Sequence, residues 1–199
     1  MNFTMKQVLY VFLICSTFML TKVSALEIKS AHPRLIDATS LKKIQAKQKT
    51  MGLLVKKANY YLGEKEDNIV NQKSKEREFI RLYAFLYSAK KEDKYFKKAK
   101  KLIEALRNAP ETKDDQQIRT RLQSYAYYYD LCFDKLDETE KKIIQEQILK
   151  HIQWLDDKKY LRINNFGGGH HFYANISAII GCIAIYYEEP STRETFQII

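Results

Sequence analysis

Only three prolines, at positions 33, 110 and 190, interrupt this chain of 199 residues. Between them, apolar residues return at the three- and four-residue spacing of an α-helix, and no stretch shows the strict alternation of a half-buried strand. The fold class that follows is all-α. Phe79, Leu82, Tyr83, Leu86 and Tyr87 fall on one helical face, with Lys75, Glu76 and Arg77 in the opening turn. Phe96, Ala99, Leu102, Ile103 and Leu106 repeat the pattern until Pro110 forces a break. A tyrosine-rich helix over Ile118 to Phe133 holds Leu122, Tyr125, Ala126, Tyr129 and Cys132 on one side, with Tyr127 and Tyr128 directed elsewhere. Asp137 and Glu140 are the first and fourth residues of a capping-box-like start, followed by an apolar stripe of Ile144, Ile148, Ile152 and Leu155. An earlier helix spans about Ser40 to Tyr61, and a nearly uncharged one runs from about His170 to Tyr187, stopped by Glu188-Glu189-Pro190.

Six or so helices of similar length, joined by short polar turns, predict antiparallel helical hairpins packed in succession. The chain ends at Thr195-Phe196-Gln197-Ile198-Ile199, just after the expected start of a new helix. A solenoid or toroid stopping there would leave an apolar face uncovered, so residues 26–199 are expected to be the N-terminal part of a larger domain.

Residues 1–25 have the make-up of a secretory signal. Lys6 precedes an apolar run from Val8 to Leu20, and Val23-Ser24-Ala25 offers small residues for cleavage. The run is short for a membrane span, so no integral membrane segment is expected after cleavage, and the mature chain is periplasmic or secreted. A lipoprotein reading through Leu13-Ile14-Cys15 is weaker, because the residue before the cysteine is bulky.

Cleavage removes Lys6 and Lys22 and no acid, so the net charge of +10 falls by two and the mature chain stays basic. No long lysine or arginine run points to nucleic acid; a polyanion met outside the cytoplasm, such as an acidic polysaccharide, suits the charge better. Cys132 and Cys182 lie in apolar helical stretches, as a disulfide or as buried free thiols. Neither the cysteines nor the four histidines show metal-ligand spacing, and no metal is expected.

The segment with most chemical promise is Gly167-Gly168-Gly169-His170-His171-Phe172-Tyr173-Ala174-Asn175. Three glycines deliver two imidazoles onto the first turn of a buried helix, where they can bind an anion or move a proton near neutral pH. Helical spacing puts His171 and Asn175 on one face.

Three pieces together resemble the heparinase II/III-like polysaccharide lyases and, more loosely, the alginate and chondroitin lyases that share their helical toroid. The first is His32-Pro33-Arg34-Leu35. The second runs from Arg121 through Tyr125-Ala126-Tyr127-Tyr128-Tyr129-Asp130 to Leu136-Asp137-Glu138-Thr139-Glu140. The third is Gly169-His170-His171 leading into Ile183-Ala184-Ile185-Tyr186-Tyr187-Glu188-Glu189-Pro190. The resemblance implies an incomplete (α/α) toroid of antiparallel hairpins, followed in the family by a β-sandwich region that this chain does not include.

It also implies β-elimination on a uronate-containing glycan without an organic cofactor. The uronate carboxylate must be neutralised, a base must take the C5 proton, and an acid must protonate the leaving oxygen. On this reading His170, His171 and Tyr173 are the catalytic candidates, and Asn175, Asn165, Arg162 and Arg121 bind substrate, with Arg119 as a further clamp for carboxylate or sulfate. The adjacent Asn-His pair of the alginate lyases is missing, since Phe166 and three glycines separate Asn164 and Asn165 from His170. Two other readings compete. A non-catalytic helical-repeat module binding a glycan or a protein would want a recurring period, and none is found. A glycoside hydrolase would want two acids flanking a cleft; Asp130 and Asp134 are better placed than the adjacent Glu188 and Glu189.

Overall fold

The computed structural model describes residues 31–70, 75–161 and 169–193. These residues are helical with no strand among them: α1 Ala38–Ala46, α2 Gln48–Tyr61, α3 Glu66–Val70, α4 Lys75–Lys90, α5 Asp93–Asn108, α6 Asp115–Cys132, α7 Glu138–Asp157 and α8 Gly169–Ala184. A 3-10 turn, Phe133–Lys135, joins α6 to α7.

Aspartates set three of the helix starts. Asp37 accepts from Thr39 and Ser40 N–H, Asp114 from Gln116 and Gln117 N–H, and Asp137 from Glu140 N–H, which answers amides that a helix leaves without an internal acceptor. The box expected at Asp137 closes on one side only. Glu140 sends its carboxylate to Tyr128 Oη (2.7 Å) and Lys100 Nζ (3.1 Å) instead.

Pairs along the chain give the helix directions. Phe96 stacks on Tyr128, and Tyr129 Oη accepts from Gln145, so α5 and α7 each run antiparallel to α6. Both α4 and α8 pack on α6, and Arg81 over Tyr127 with Tyr87 on Asp134 makes α4 parallel to α6, while α5 and α7 pack against it in the opposite direction. Between α6 and α8 the register is steady: Asp115 meets His170, Arg119 meets Tyr173, and Gln123 meets Ser177.

The central helix α6 is surrounded, and its side chains are buried nearly all round. This corrects the expectation for Tyr128, which is 0% exposed and stacks against Phe96 rather than pointing away. Tyr125 and Tyr129 are core, as the spacing predicts. Tyr127 is half-buried, beneath the Arg81 guanidinium at 4.5 Å. Tyr125, Tyr128 and Tyr129 fill the interior and offer no face to a sugar, while Tyr127 borders the cleft lined by Leu54 and Phe85.

The helix expected over Ser40 to Tyr61 is two helices, broken at Lys47, whose ψ of 75° leaves the helical region. In one straight helix Ile44 and Leu54 would lie about 80° apart around the axis. With the break, both line a cleft against Leu82 and Phe85. Cys132 and Cys182 are free and buried, and burial pushes the Cys182 thiol up to about 12.

At Gly181, α8 packs tightly against α6 and α7. A Cβ there would lie 2.9 Å from Leu122 Cδ1, 3.2 Å from Ile152 Cδ1 and 3.3 Å from Ile148 Cγ2. Gly181→Val should therefore destabilise the chain by about 1–3 kcal/mol through overpacking, read as a lower urea midpoint at unchanged slope. An unchanged midpoint would show that these three side chains can withdraw freely.

Candidate functional site

The parallel register of α6 and α8 brings their first turns together. His170 Nδ1 lies 2.9 Å from Asp115 Oδ2, and Arg119 Nη2 donates to the same oxygen at 2.8 Å. Burial works against the Asp115 carboxylate, but the bond from His170 and the charge of Arg119 outweigh it and hold its pKa down. An ionised Asp115 accepts a proton-bearing Nδ1 and so leaves the His170 Nε2 lone pair outward. The His170 side chain is 71% exposed.

Tyr173, one turn further, is exposed and lies beside Phe172, their ring centroids 5.6 Å apart. The Arg119 guanidinium sits 5.8 Å from the Tyr173 ring centroid. Ser177 Oγ donates to the Tyr173 carbonyl (2.8 Å) and accepts from Gln123 (2.7 Å), which ties this turn to the buried side of α6. An imidazole lone pair and a phenol thus share one surface, with the Arg119 guanidinium, 11% exposed and paired to Asp115, behind them.

The other expected residues do not join them. His171 faces Tyr160, with its ring 5.3 Å away and Nδ1 3.3 Å from the Tyr160 carbonyl. Asn175 does share the His171 side of the helix, but that side turns inward. Asn175 is only 5% exposed, and its amide has no hydrogen-bond partner among the described residues. Arg121 lies two residues beyond Arg119, about 200° around the helix, and donates instead to the Pro110 carbonyl (2.9 Å). Arg162 and Asn165 lie outside the described residues, as does the signal-like segment 1–25.

A second polar cluster stands at the opposite end of α6. Asp130, fully buried, accepts from His32 Nδ1 (2.6 Å), Arg34 N (2.8 Å) and Leu35 N (2.8 Å). Arg34 forks onto Glu188 (2.5 and 2.6 Å) and donates to the last carbonyl of α8, Ala184 O, at 3.0 Å. His32 stacks on Phe133 with centroids 3.8 Å apart and reaches Glu188 at 3.4 Å. A cation at a helix C-terminus is favoured by the helix dipole, so this cluster clasps the N-terminal segment across the ends of α6 and α8. Asp130 and Asp115 are fifteen residues apart on one helix, about 22 Å, which separates the two clusters.

The clasp fixes a pH dependence. Burial opposes the charged His32, but its bonds to Asp130 and Glu188 outweigh burial and raise its pKa above 6.5. Burial also opposes ionised Glu188, yet Arg34 and His32 bring it down to about 2. Stability from Glu188 is complete above its ordinary 4.5 and is lost as pH falls towards 2. Stability from His32 is complete below 6.5 and is lost as pH rises through its raised value. The thermal midpoint should peak near pH 5–6, and His32→Gln should flatten its alkaline fall. An alkaline limb unchanged by that substitution would exclude His32 as its source.

Among the described residues, no group of three or more His, Cys, Asp or Glu is placed to hold a metal, and no helix is long and apolar enough to cross a membrane. No family model matches this chain, and no curated protein matches it.

Proposed function

We propose that this chain is part of an exported lyase that cleaves a uronate-containing acidic polysaccharide by β-elimination. The observation that carries this reading is the His170–Asp115 pair standing beside the exposed Tyr173. The uronate carboxylate docks at the amino end of α8, where the edge of Arg119 adds positive charge and the adjacent C5 proton becomes acidic. His170 Nε2 takes that proton. The electron pair left on C5 forms the new double bond to C4 as the C4–O bond breaks, and the Tyr173 hydroxyl protonates the departing oxygen. The reaction calls for no organic cofactor. The parallel α4, α6 and α8 with the antiparallel α5 and α7 fit part of an (α/α) toroid.

The test is direct. Incubating the full chain with heparan sulfate, alginate, chondroitin or hyaluronan should produce the ultraviolet absorbance of an unsaturated uronate, which hydrolysis does not generate. The adjacent exposed rings of Phe172 and Tyr173 favour one other reading, a surface that stacks on glycan rings without chemistry. Binding of a polymer with no unsaturated product from any of the four would select it.

A further inference from the structure

The end of the molecule that carries His170 also carries a recess the proposed chemistry does not use. A cleft of about 260 Å³ opens between the last turn of α5, the start of α6 and the last turns of α7. Arg107, Lys113, Arg121 and Lys150 line it, with Glu111 as the one acid among its lining residues. Glu111 pairs with Lys150, so the remaining three cations face the recess without a lining acid to balance them.

Arg121 is the cation most firmly placed in this recess. Its Nη2 donates to Pro110 O, while its Nε is shut off from solvent and meets no acceptor among the described residues. With Nε covered and Nη2 held on the Pro110 carbonyl, an oxyanion in the cleft would meet this guanidinium by its Nη edge. His151 adds no positive charge to the wall, so the recess depends on its lysines and arginines. Burial first, and the charges of Arg121 and Lys150 after it, hold that imidazole near 4 and therefore neutral, with Nδ1–H donated to Gln147 O at 2.6 Å.

Trp154 borders the same cleft and stacks on Tyr160 with centroids 6.2 Å apart, and Tyr160 in turn touches His171. An aromatic bridge thus connects the cleft to the first turn of α8. We infer that the cleft is a binding site for an oxyanion group, a sulfate or carboxylate borne on a sugar, with Trp154 beside it as the ring's platform. On the function proposed above, it receives a second anionic unit of the chain whose uronate reaches His170.

Trp154 is the chain's only tryptophan, so its fluorescence reports this cleft. A heparin-derived tetrasaccharide should change that emission saturably, sodium sulfate should do so more weakly, and a neutral maltooligosaccharide should leave it unchanged. Arg121→Gln should weaken the tetrasaccharide by about tenfold or more, and Lys113→Gln, at an exposed rim position, by a smaller factor. No saturable change, equal affinity in both variants, or a response to free sulfate with none to the tetrasaccharide would each overturn the site. Failure of the lyase reading is distinguishable. Arg121-dependent quenching without unsaturated product would keep the cleft and remove the lyase, whereas product without such quenching would do the reverse.

Discussion

Asp130→Ala should destabilise the chain by about 3–5 kcal/mol, because it strips the acceptor from several donors that have no water to turn to. The Asp130 side chain is 0% exposed and serves His32 Nδ1 and the backbone amides of Arg34 and Leu35. Its loss leaves those amides unpaired and the His32 imidazole with only the longer contact to Glu188. For a chain of this size the midpoint should fall by roughly 10 °C. Glu188→Gln should do less, since Glu188 is 24% exposed and water can take over part of its role. Asp130→Asn should fall between, keeping the shape and one acceptor while losing the charge. The measurement is thermal unfolding by circular dichroism, joined to proteolysis within residues 31–37, which should become fast in Asp130→Ala. A loss under about 1 kcal/mol would mean the segment is held by packing alone.

That clasp was only half legible in the sequence. His32-Pro33-Arg34-Leu35, the aspartate ending the tyrosine-rich helix and Glu188-Glu189 stand in three distant motifs, and nothing in the sequence says that they meet. Asp130 drew notice as an acid for hydrolysis, whereas it is sealed behind His32 and two backbone amides. Periodicity reports which face of a helix is buried and is silent about partners 96 or 156 residues away. The same limit hid Asp115 behind His170. Local pattern did place α4, α5, α6 and α7, because each carries a full apolar stripe over four or more turns. It missed α3, whose five residues are too short to show a period, and the break at Lys47, which no proline or glycine marks. For α6 the stripe rule itself misled. A helix enclosed by four neighbours buries every side, so Tyr128 went inward with Tyr125 and Tyr129.

The choice between the two neighbouring histidines is the point at which the functional proposal is most exposed. His170 and His171 are adjacent in sequence, yet about 100° apart on the helix, and only His170 meets a carboxylate. His170→Ala should lower kcat on a uronate polymer by about 10²–10⁴-fold with little change in KM, the loss expected of a general base. His171→Ala, which removes a contact to Tyr160, should lose far less. Asp115→Asn separates charge from bulk. Arg119 can only donate to the oxygen that it shares with His170, so the amide oxygen stays there and still accepts Nδ1–H, and the substitution removes the charge behind the imidazole without displacing the ring or its tautomer. Its rate should therefore fall by a smaller factor than that of His170→Ala, while the double variant should lose little more than His170→Ala alone. Equal losses in His170→Ala and His171→Ala, or full activity in Asp115→Asn, would break the link between this pair and proton removal. The surface around Phe172 and Tyr173 would then be left as a place where sugars bind.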